Sequence, residues 1–219
     1  MLHIAGPFSA TSKKMADACL RTGRHYLDIT GEIDVFESLA ARDAEAKAKG
    51  VMLLPGVGFD VVPSDCLAAH VKRRLPDATH LKLTIGGLSK MSRGTAKTGV
   101  EGINAGTRAR RGGKIVRLPD TPRGTTDFGE GPKPTVAMSW GDVSTAWHST
   151  RIPDIDVHFQ SSAQLEQMTK LNPVARFMLS TWAGQRLAKF AIDRTPEGPT
   201  DAERAAGYAV LIGEATNKA

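Results

Sequence analysis

Asp60 is the residue of this sequence best placed for acid–base chemistry. It closes the glycine-rich segment 55–59, which follows a predicted strand at Val51–Leu54. A carboxyl group at such a turn can give or take a proton in a reaction, and it can equally cap the helix predicted to begin near Pro63. His148, in a segment that also carries indole and hydroxyl groups, is the second candidate for the proton.

Histidine and cysteine, the residue types that most often bind metals, are too scattered to form a site. The six histidines show no HExxH-like spacing, and the two cysteines, Cys19 and Cys66, lie far apart without a CxxC pair. Metal sites and disulfide frameworks depend on such spacing. We therefore predict no metal site and expect both cysteines to be small buried apolar residues.

Three turns rich in glycine and proline each follow a predicted strand. Strands and helices alternate over residues 1–75, which predicts a parallel sheet with helices on its faces. Ligands bind such sheets beyond the carboxyl ends of the strands, although any strand-to-helix turn also favours small residues. We predict a ligand crevice lined by these ends: Gly6, Pro7, Phe8, Thr30, Gly31, Glu32, Gly56, Val57, Gly58 and Phe59.

The first predicted strand begins at residue 2 and would leave one edge of this sheet open. Open edges expose unpaired backbone groups, which invite pairing with another strand. We expect a preceding part of the protein, a partner chain or a second copy in a homo-oligomer to cover this edge.

In the rest of the chain the alternation stops, and strands and helices follow in irregular order. This change predicts an α+β domain at 78–219 after a parallel-sheet domain at 1–77. Within the second domain, loops are predicted at Thr107–Lys114 and Thr121–Pro134, and a last strand at Arg204–Glu214.

The second domain offers groups for an anionic substrate near a predicted helix start. Backbone amides at a helix N-terminus, with cations nearby, suit a carboxylate or phosphate, although ordinary capping also explains the serine there. The Trp140 indole could line a substrate pocket. The alternative is that Trp140 packs in the core and that Asp142 caps the helix that follows it. The predicted substrate-binding residues are Ser92, Arg93, Thr95, Lys97 and Trp140.

The net charge of +6 is concentrated in the predicted loop at Thr107–Lys114 and just after it. Nucleic-acid binding would need a reading helix or stacking aromatics nearby, and only 5% of the residues are aromatic. We predict no nucleic-acid partner and a solvated loop, with contact to an acidic partner or phosphate-bearing substrate as the alternative. The cluster comprises Arg108, Arg110, Arg111, Lys114 and Arg117.

A segment with large apolar and basic side chains lies at 173–192. Core or interface packing is the favoured prediction, and a helix lying on a membrane surface is the less favoured alternative. No apolar run approaches the ~20 residues of a membrane span, and the N-terminus lacks an export signal, so we expect a cytoplasmic protein. The apolar members are Phe177, Met178, Trp182, Leu187 and Phe190.

Five sequence runs together resemble a known family. They are LHIAGPFS (2–9), DACLRTGRHYLDITGE (17–32), LPGVGFDVVPSD (54–65), SRGTA (92–96) and SWGDVSTA (139–146). Through them the chain resembles the saccharopine dehydrogenase-like oxidoreductases, in particular the members known as trans-acting enoyl reductases, over roughly residues 2–160.

The resemblance implies an α/β fold, in which the C-terminal half of a Rossmann-type parallel sheet is followed by an α+β domain that shapes the substrate site. It implies NADP or NAD as cofactor, with Gly6, Pro7 and Phe8 beside the nicotinamide and Thr30, Gly31 and Glu32 in the same crevice. It also implies hydride transfer to or from a C=C, C=N or C=O bond of a small-molecule or acyl substrate.

The family's phosphate-binding turn is missing from this sequence. In the family a Gly-rich turn after an earlier strand binds the pyrophosphate through backbone amides and a helix start. No GxGxxG turn occurs here. Gly56 and Gly58 match the first two glycines of that pattern, but Val61 occupies the position of the third. We expect a partial family member that does not bind the dinucleotide tightly alone. The alternative is a non-enzymatic remnant or subunit that retains substrate-domain and interface surfaces.

Overall fold

A computed structural model describes residues 1–87, 93–162, 165–166, 173–196 and 198–217. The chain begins with a three-stranded parallel sheet, ordered β1-β2-β3. Its strands are β1 (Leu2–His3), β2 (Tyr26–Asp28) and β3 (Leu53–Leu54). Its helices are α1 (Phe8–Thr22), α2 (Ile33–Ala40) and α3 (Asp43–Ala48).

The sheet and its helices pack as the alternation of strands and helices predicts. Tyr26 of β2 lies fully buried against Ala16 and Cys19 of α1 and against Val35 and Leu39 of α2. β1 lies at the edge of the sheet, and what covers this edge stays a prediction.

A second, seven-stranded sheet follows, with the order β10-β4-β9-β5-β6 and with β8 paired to β9 and β7. Its strands are β4 (His80–Gly86), β5 (Arg108–Arg111), β6 (Lys114–Arg117), β7 (Arg123–Asp127), β8 (Pro132–Ala137), β9 (Asp154–Gln160) and β10 (Val210–Thr216). β4 and β9 are parallel, whereas the other pairs are antiparallel. A parallel unit followed by a mixed α+β unit confirms the predicted fold class.

Six further helices accompany this sheet in the described part of the chain. They are α4 (Val62–Arg74), α5 (Arg93–Glu101), α6 (Asp142–Thr150), α7 (Pro173–Ser180), α8 (Trp182–Ile192) and α9 (Asp201–Ala206). A 3₁₀ turn at Gly102–Asn104 follows α5.

Three predictions of local structure in this part are wrong. The segment Thr107–Lys114 is no loop, because β5 and β6 form a hairpin there that turns at two glycines with positive φ. The segment Thr121–Pro134 likewise contains strand β7 and the start of β8. The predicted strand Arg204–Glu214 is divided between the end of α9 and most of β10. The hairpin strands were missed because their charged, glycine and proline residues do not show the apolar alternation of a half-buried strand.

The main core lies between the second sheet and helices α4 and α6. Leu81, Leu83 and Ile85 alternate along β4 and are buried against Ile155 and Val157 of β9. α4 lies before the predicted domain boundary near residue 77, and it packs against α6, β4 and β10. The boundary itself stays a prediction.

Candidate active site

Asp28 connects the turns that follow the second and third strands. Its carboxylate Oδ1 accepts hydrogen bonds from the backbone amides of Thr30 (3.0 Å) and Gly56 (2.9 Å). The other oxygen, Oδ2, accepts from the Tyr26 hydroxyl at 2.6 Å, and the Asp28 carbonyl accepts from the Val57 amide. The residue is completely buried, so these bonds satisfy a carboxylate that would otherwise be costly to bury.

Sequence reasoning did not single out Asp28 as a site residue. The available signal was an acidic side chain as the last residue of a short apolar strand, directly before a Thr-Gly turn. A carboxylate in that position can bind the amides of two neighbouring turns, which fixes their relative position.

Glu32 connects the turns that follow the first and second strands. Its carboxylate accepts hydrogen bonds from the backbone amides of Phe8 (2.9 Å) and Ser9 (2.8 Å) at the start of α1. A carboxylate is stabilised there because the N-terminus of a helix carries partial positive charge. The three predicted crevice segments therefore meet at the carboxyl ends of the parallel strands.

Asp60 lies at the turn between β3 and α4, next to these segments. A Cβ atom on Gly31 would overlap the Asp60 carboxyl group, and one on Gly141 would lie 3.0 Å from its Oδ1. Oδ1 is shielded from solvent and has no hydrogen-bond partner in the described part of the chain. Burial raises the pKa of Asp60 well above its ordinary value, and the nearby Asp142 carboxyl adds to that shift.

Asp142, the first residue of α6, is the second buried carboxyl group of this cluster and is completely inaccessible to solvent. Burial raises its pKa to about 7, the neighbouring Asp65 adds to the shift, and the Ser64 hydroxyl opposes it. Neither Asp142 oxygen has a close, well-oriented hydrogen-bond partner among the described residues. Burial therefore favours the protonated form of both carboxyl groups, and raised carboxyl pKa values are common where protons are transferred.

Sequence reasoning treated Asp142 only as a helix cap, and the fold gives it a different setting. α4 and α6 pack side by side, which brings Ser64 and Asp65 of α4 next to the first turn of α6. Asp65 in turn accepts a hydrogen bond from Ser149. The nearness of Asp60, Asp65 and Asp142 depends on helix packing between distant parts of the chain.

The structure does not bring His148, the other predicted proton carrier, to this cluster. His148 is exposed in the last turn of α6, and Asp142 is in the first turn. Six residues of helix correspond to roughly 9 Å along the axis. Trp140 lies nearer, with its ring 4.8 Å from that of Phe159 and packed against the main core.

The residues predicted to bind the substrate near α5 are engaged elsewhere. Lys97 forms an ion pair with Asp193 (2.6 Å), and the Arg93 Nε donates to the Thr195 carbonyl (2.6 Å), so both contact the end of α8. Ser92 and the side chain of Thr95 lie outside the described residues. Their role in substrate binding stays a prediction.

Two arginines of the basic cluster predicted as a solvated loop form ion pairs that join strand β5 to helix α2 of the first unit. Arg108 pairs with Asp34, and Arg110, only 3% exposed, pairs with Glu37 at 3.0 Å. Both carboxylates come from α2 of the first unit. The prediction of a solvated loop is therefore wrong for these residues, because their partners are distant in sequence.

A similar correction applies to one of the two cysteines. Cys19 is buried in α1, as expected, whereas Cys66 is exposed on α4. Within the described residues, no three histidine, cysteine, aspartate or glutamate side chains are grouped to hold a metal ion.

Comparison with curated proteins places this chain among known sequences. A segment of 76 residues is 34% identical to the trans-acting enoyl reductase of Mycobacterium leprae (strain TN). A segment of the same length is 29% identical to the saccharopine dehydrogenase-like oxidoreductase of Mus musculus. The predicted family resemblance is confirmed. Each match covers 34% of this chain and 18% of the relative's length, so the chain spans well under two thirds of these relatives.

No protein-family model matches the chain. Among solved structures, apo saccharopine dehydrogenase (L-Glu forming) from Saccharomyces cerevisiae aligns with 93% of this chain and 55% of its own, with 13% identity and a TM-score of 0.47.

Replacing Gly31 with alanine tests whether the Asp60 carboxyl is packed as described. The new methyl group would overlap that carboxyl, so we expect the free energy of unfolding to fall by about 1–3 kcal/mol. Gly102→Ala is the matched control, because its Cβ would meet no atom within 4 Å. Chemical denaturation of both variants measures the effect. An equal change at the two positions would contradict the close packing of Asp60 on Gly31.

Proposed function

We propose that this chain is the substrate-side portion of a saccharopine dehydrogenase-like oxidoreductase, with Asp60 as the group that gives or takes a proton. The intact enzyme would transfer hydride between NADP or NAD and a C=C, C=N or C=O bond. The observation that supports this most is a shielded carboxyl with raised pKa at the carboxyl ends of parallel strands. The family resemblance supports the reaction class.

The described turns at the ends of the three parallel strands do not fit the pyrophosphate of a dinucleotide. The space that a glycine usually leaves for phosphate is filled at Gly31 by the Asp60 carboxyl and at Gly56 by the Phe36 ring. The amides at the start of α1 already bind the Glu32 carboxylate, which would repel a phosphate. We therefore propose that a segment outside the described residues, or a partner chain, holds the pyrophosphate.

Asp60 suits proton transfer because its environment favours the neutral acid. A carboxylic acid that keeps its proton near pH 7 can donate it to a developing anion and then be stabilised on recovering it. Asp142, with a pKa of about 7, lies close enough to influence this equilibrium. The pair would then titrate as a unit rather than as two independent acids.

A non-enzymatic subunit is the second candidate function, and one observation favours it. The Glu32 carboxylate occupies the helix start that an anionic ligand would otherwise use. A chain that keeps the fold but fills this position with its own side chain would serve as a structural partner rather than as a cofactor-binding enzyme.

Titration with NADPH, followed by cofactor fluorescence, tests whether this chain binds the dinucleotide. We expect a Kd weaker than about 100 μM, because the amides at the start of α1 already bind the Glu32 carboxylate. Glu32→Ala frees the Phe8 and Ser9 amides and should strengthen binding several-fold. Glu45→Ala, at an exposed site in α3, is the control. Micromolar binding by the unaltered chain would contradict the proposal that a segment outside the described residues, or a partner chain, holds the pyrophosphate.

A fusion separates the proposed function from its alternative. A βαβ unit with a GxGxxG turn would be joined ahead of Leu2 so that its strand extends the sheet at β1. Micromolar NADPH binding by the fusion, with none by the chain alone, would support the proposed enzyme. A folded fusion that still fails to bind would favour the non-enzymatic subunit.

A further inference from the structure

Helices α7 and α8 expose an unusual number of large apolar side chains. Trp182 is 75% exposed and Phe177 is 70% exposed, although both are residue types that proteins normally bury. The full set within these two helices is Val174, Phe177, Met178, Trp182, Leu187 and Phe190. Within the described part of the chain they do not form a core, and the alternative of interface packing stays a prediction.

The exposed side of α8 carries three of its four large apolar side chains, and the fourth, Ile192, lies on the less exposed side. Trp182, Leu187 and Phe190 point to solvent, whereas the polar Gln185 and the small Gly184 lie on the less exposed side. The spacing of the three exposed residues, at 182, 187 and 190, places them on one half of the helix. A helix at the surface of a soluble protein normally shows the reverse arrangement.

Two arginines lie directly on this apolar surface. The Arg186 guanidinium stacks over the Trp182 ring, 5.3 Å from its centroid, and that of Arg194 stacks over Phe190 at 3.4 Å. No ion pair joins either arginine to an acidic side chain within the described residues. Asp193, the sole acidic residue between positions 173 and 194, is paired with Lys97.

Exposed apolar rings together with Arg186 and Arg194 distinguish between possible binding partners of this surface. A symmetric dimer formed through this face would bring Arg186 and Arg194 of both copies into one interface without an acidic side chain of this face to pair with them, which is unfavourable. An anionic lipid surface instead offers phosphates to the guanidinium groups and an acyl boundary to the rings. None of the described helices is long and apolar enough to cross a bilayer, so the contact would be peripheral.

We infer that α7 and α8 bind the surface of membranes containing anionic lipids. Trp182, Phe190 and Leu187 enter the boundary between headgroups and acyl chains. Arg186 and Arg194 contact lipid phosphates above it. This inference does not depend on the proposed enzymatic function, because none of these residues belongs to the Asp60 cluster.

Sedimentation with vesicles tests this inference on the 219-residue chain. Vesicles of phosphatidylcholine with about 30 mol% phosphatidylserine should bind the chain, and pure phosphatidylcholine should bind it at least about tenfold more weakly. Binding should also move the Trp182 fluorescence to shorter wavelength. Trp182→Phe should remove this change, because Trp140 and Trp147 are partly buried away from this surface.

Charge reversal with a matched control identifies the face. The double variant Arg186→Glu with Arg194→Glu should bind the anionic vesicles at least about tenfold more weakly than the unaltered chain. Arg21→Glu with Arg24→Glu changes the net charge equally at exposed positions of the first unit and should bind normally. Thermal melting by circular dichroism verifies that both variants fold.

Three results would overturn the inference. The first is failure of the unaltered chain to bind either kind of vesicle. The second is equal loss of binding in both double variants, which would show only nonspecific attraction of a basic protein. The third is a dimer in light scattering that Trp182→Ser with Phe190→Ser dissociates, which would assign this face to self-association.

Discussion

Arg110→Ala is expected to lower the free energy of unfolding by about 2–4 kcal/mol, because it leaves two backbone carbonyls without their donor and removes a buried side chain. The Arg110 guanidinium donates to the Val143 carbonyl (2.8 Å), the Gly113 carbonyl (2.7 Å) and the Glu37 carboxylate (3.0 Å). It also lies 5.4 Å from the centroid of the Trp147 ring. Its loss would remove a connection between the hairpin β5–β6, helix α6 and helix α2.

The control is Lys114→Ala, at an exposed position of the same hairpin, where we expect a change within about 0.5 kcal/mol. Both values come from urea denaturation followed by circular dichroism. If Arg110→Ala changed stability no more than Lys114→Ala, Arg110 would be a solvated surface cation, as the sequence first suggested. Arg110→Lys should restore little, because lysine cannot reach three acceptors in one plane.

The raised pKa of Asp142 predicts that this carboxyl lowers the free energy of unfolding as the pH rises. Asp142→Asn is expected to remove this pH-dependent loss. Burial raises the pKa of Asp142 from 3.8 in the unfolded chain to about 7 in the fold. A carboxyl with a raised folded-state pKa binds its proton more tightly in the folded protein. Its contribution is therefore fully present below about pH 4 and is lost as the pH rises through about 7. The total loss is about 2–4 kcal/mol.

The variant carries no charge at position 142 at any pH, so its stability should exceed that of the unaltered protein at about pH 8 and approach it at about pH 4. Denaturation curves at a series of pH values measure this difference. Asp43→Asn, at an exposed position of α3, should leave the pH profile unchanged. If the difference in stability between the unaltered protein and Asp142→Asn stayed constant between about pH 4 and 8, the raised pKa of Asp142 would be contradicted.

Asp60 should add to the same pH dependence, because burial and Asp142 both raise its pKa. Removing the charge at Asp142 takes away one of these two causes. The pKa of Asp60 should therefore fall in the Asp142→Asn variant, although burial keeps it above its ordinary value. This coupling could be followed by NMR titration of the Asp60 carboxyl carbon.

The sequence by itself determined the parallel strand–helix unit and the positions of its ligand-facing turns. Hydrophobic periodicity and glycine-rich turns are local signals, since each depends on neighbouring residues. They located the segments around Gly6, Thr30 and Gly56, and the structure joins these segments through Asp28 and Glu32. The absence of a phosphate-binding turn was also a local property of the sequence.

Only the tertiary structure decided which distant charges meet. Arg110 reaches Glu37 across 73 positions of the chain, and the pKa of Asp60 depends on Asp142. No periodicity encodes such pairs, so the arginine cluster suggested a solvated loop and Asp142 suggested a helix cap. The exposure of Trp182 and Phe190 could not be predicted from the sequence either. The pattern of an apolar helix face is the same whether another element covers that face or leaves it exposed.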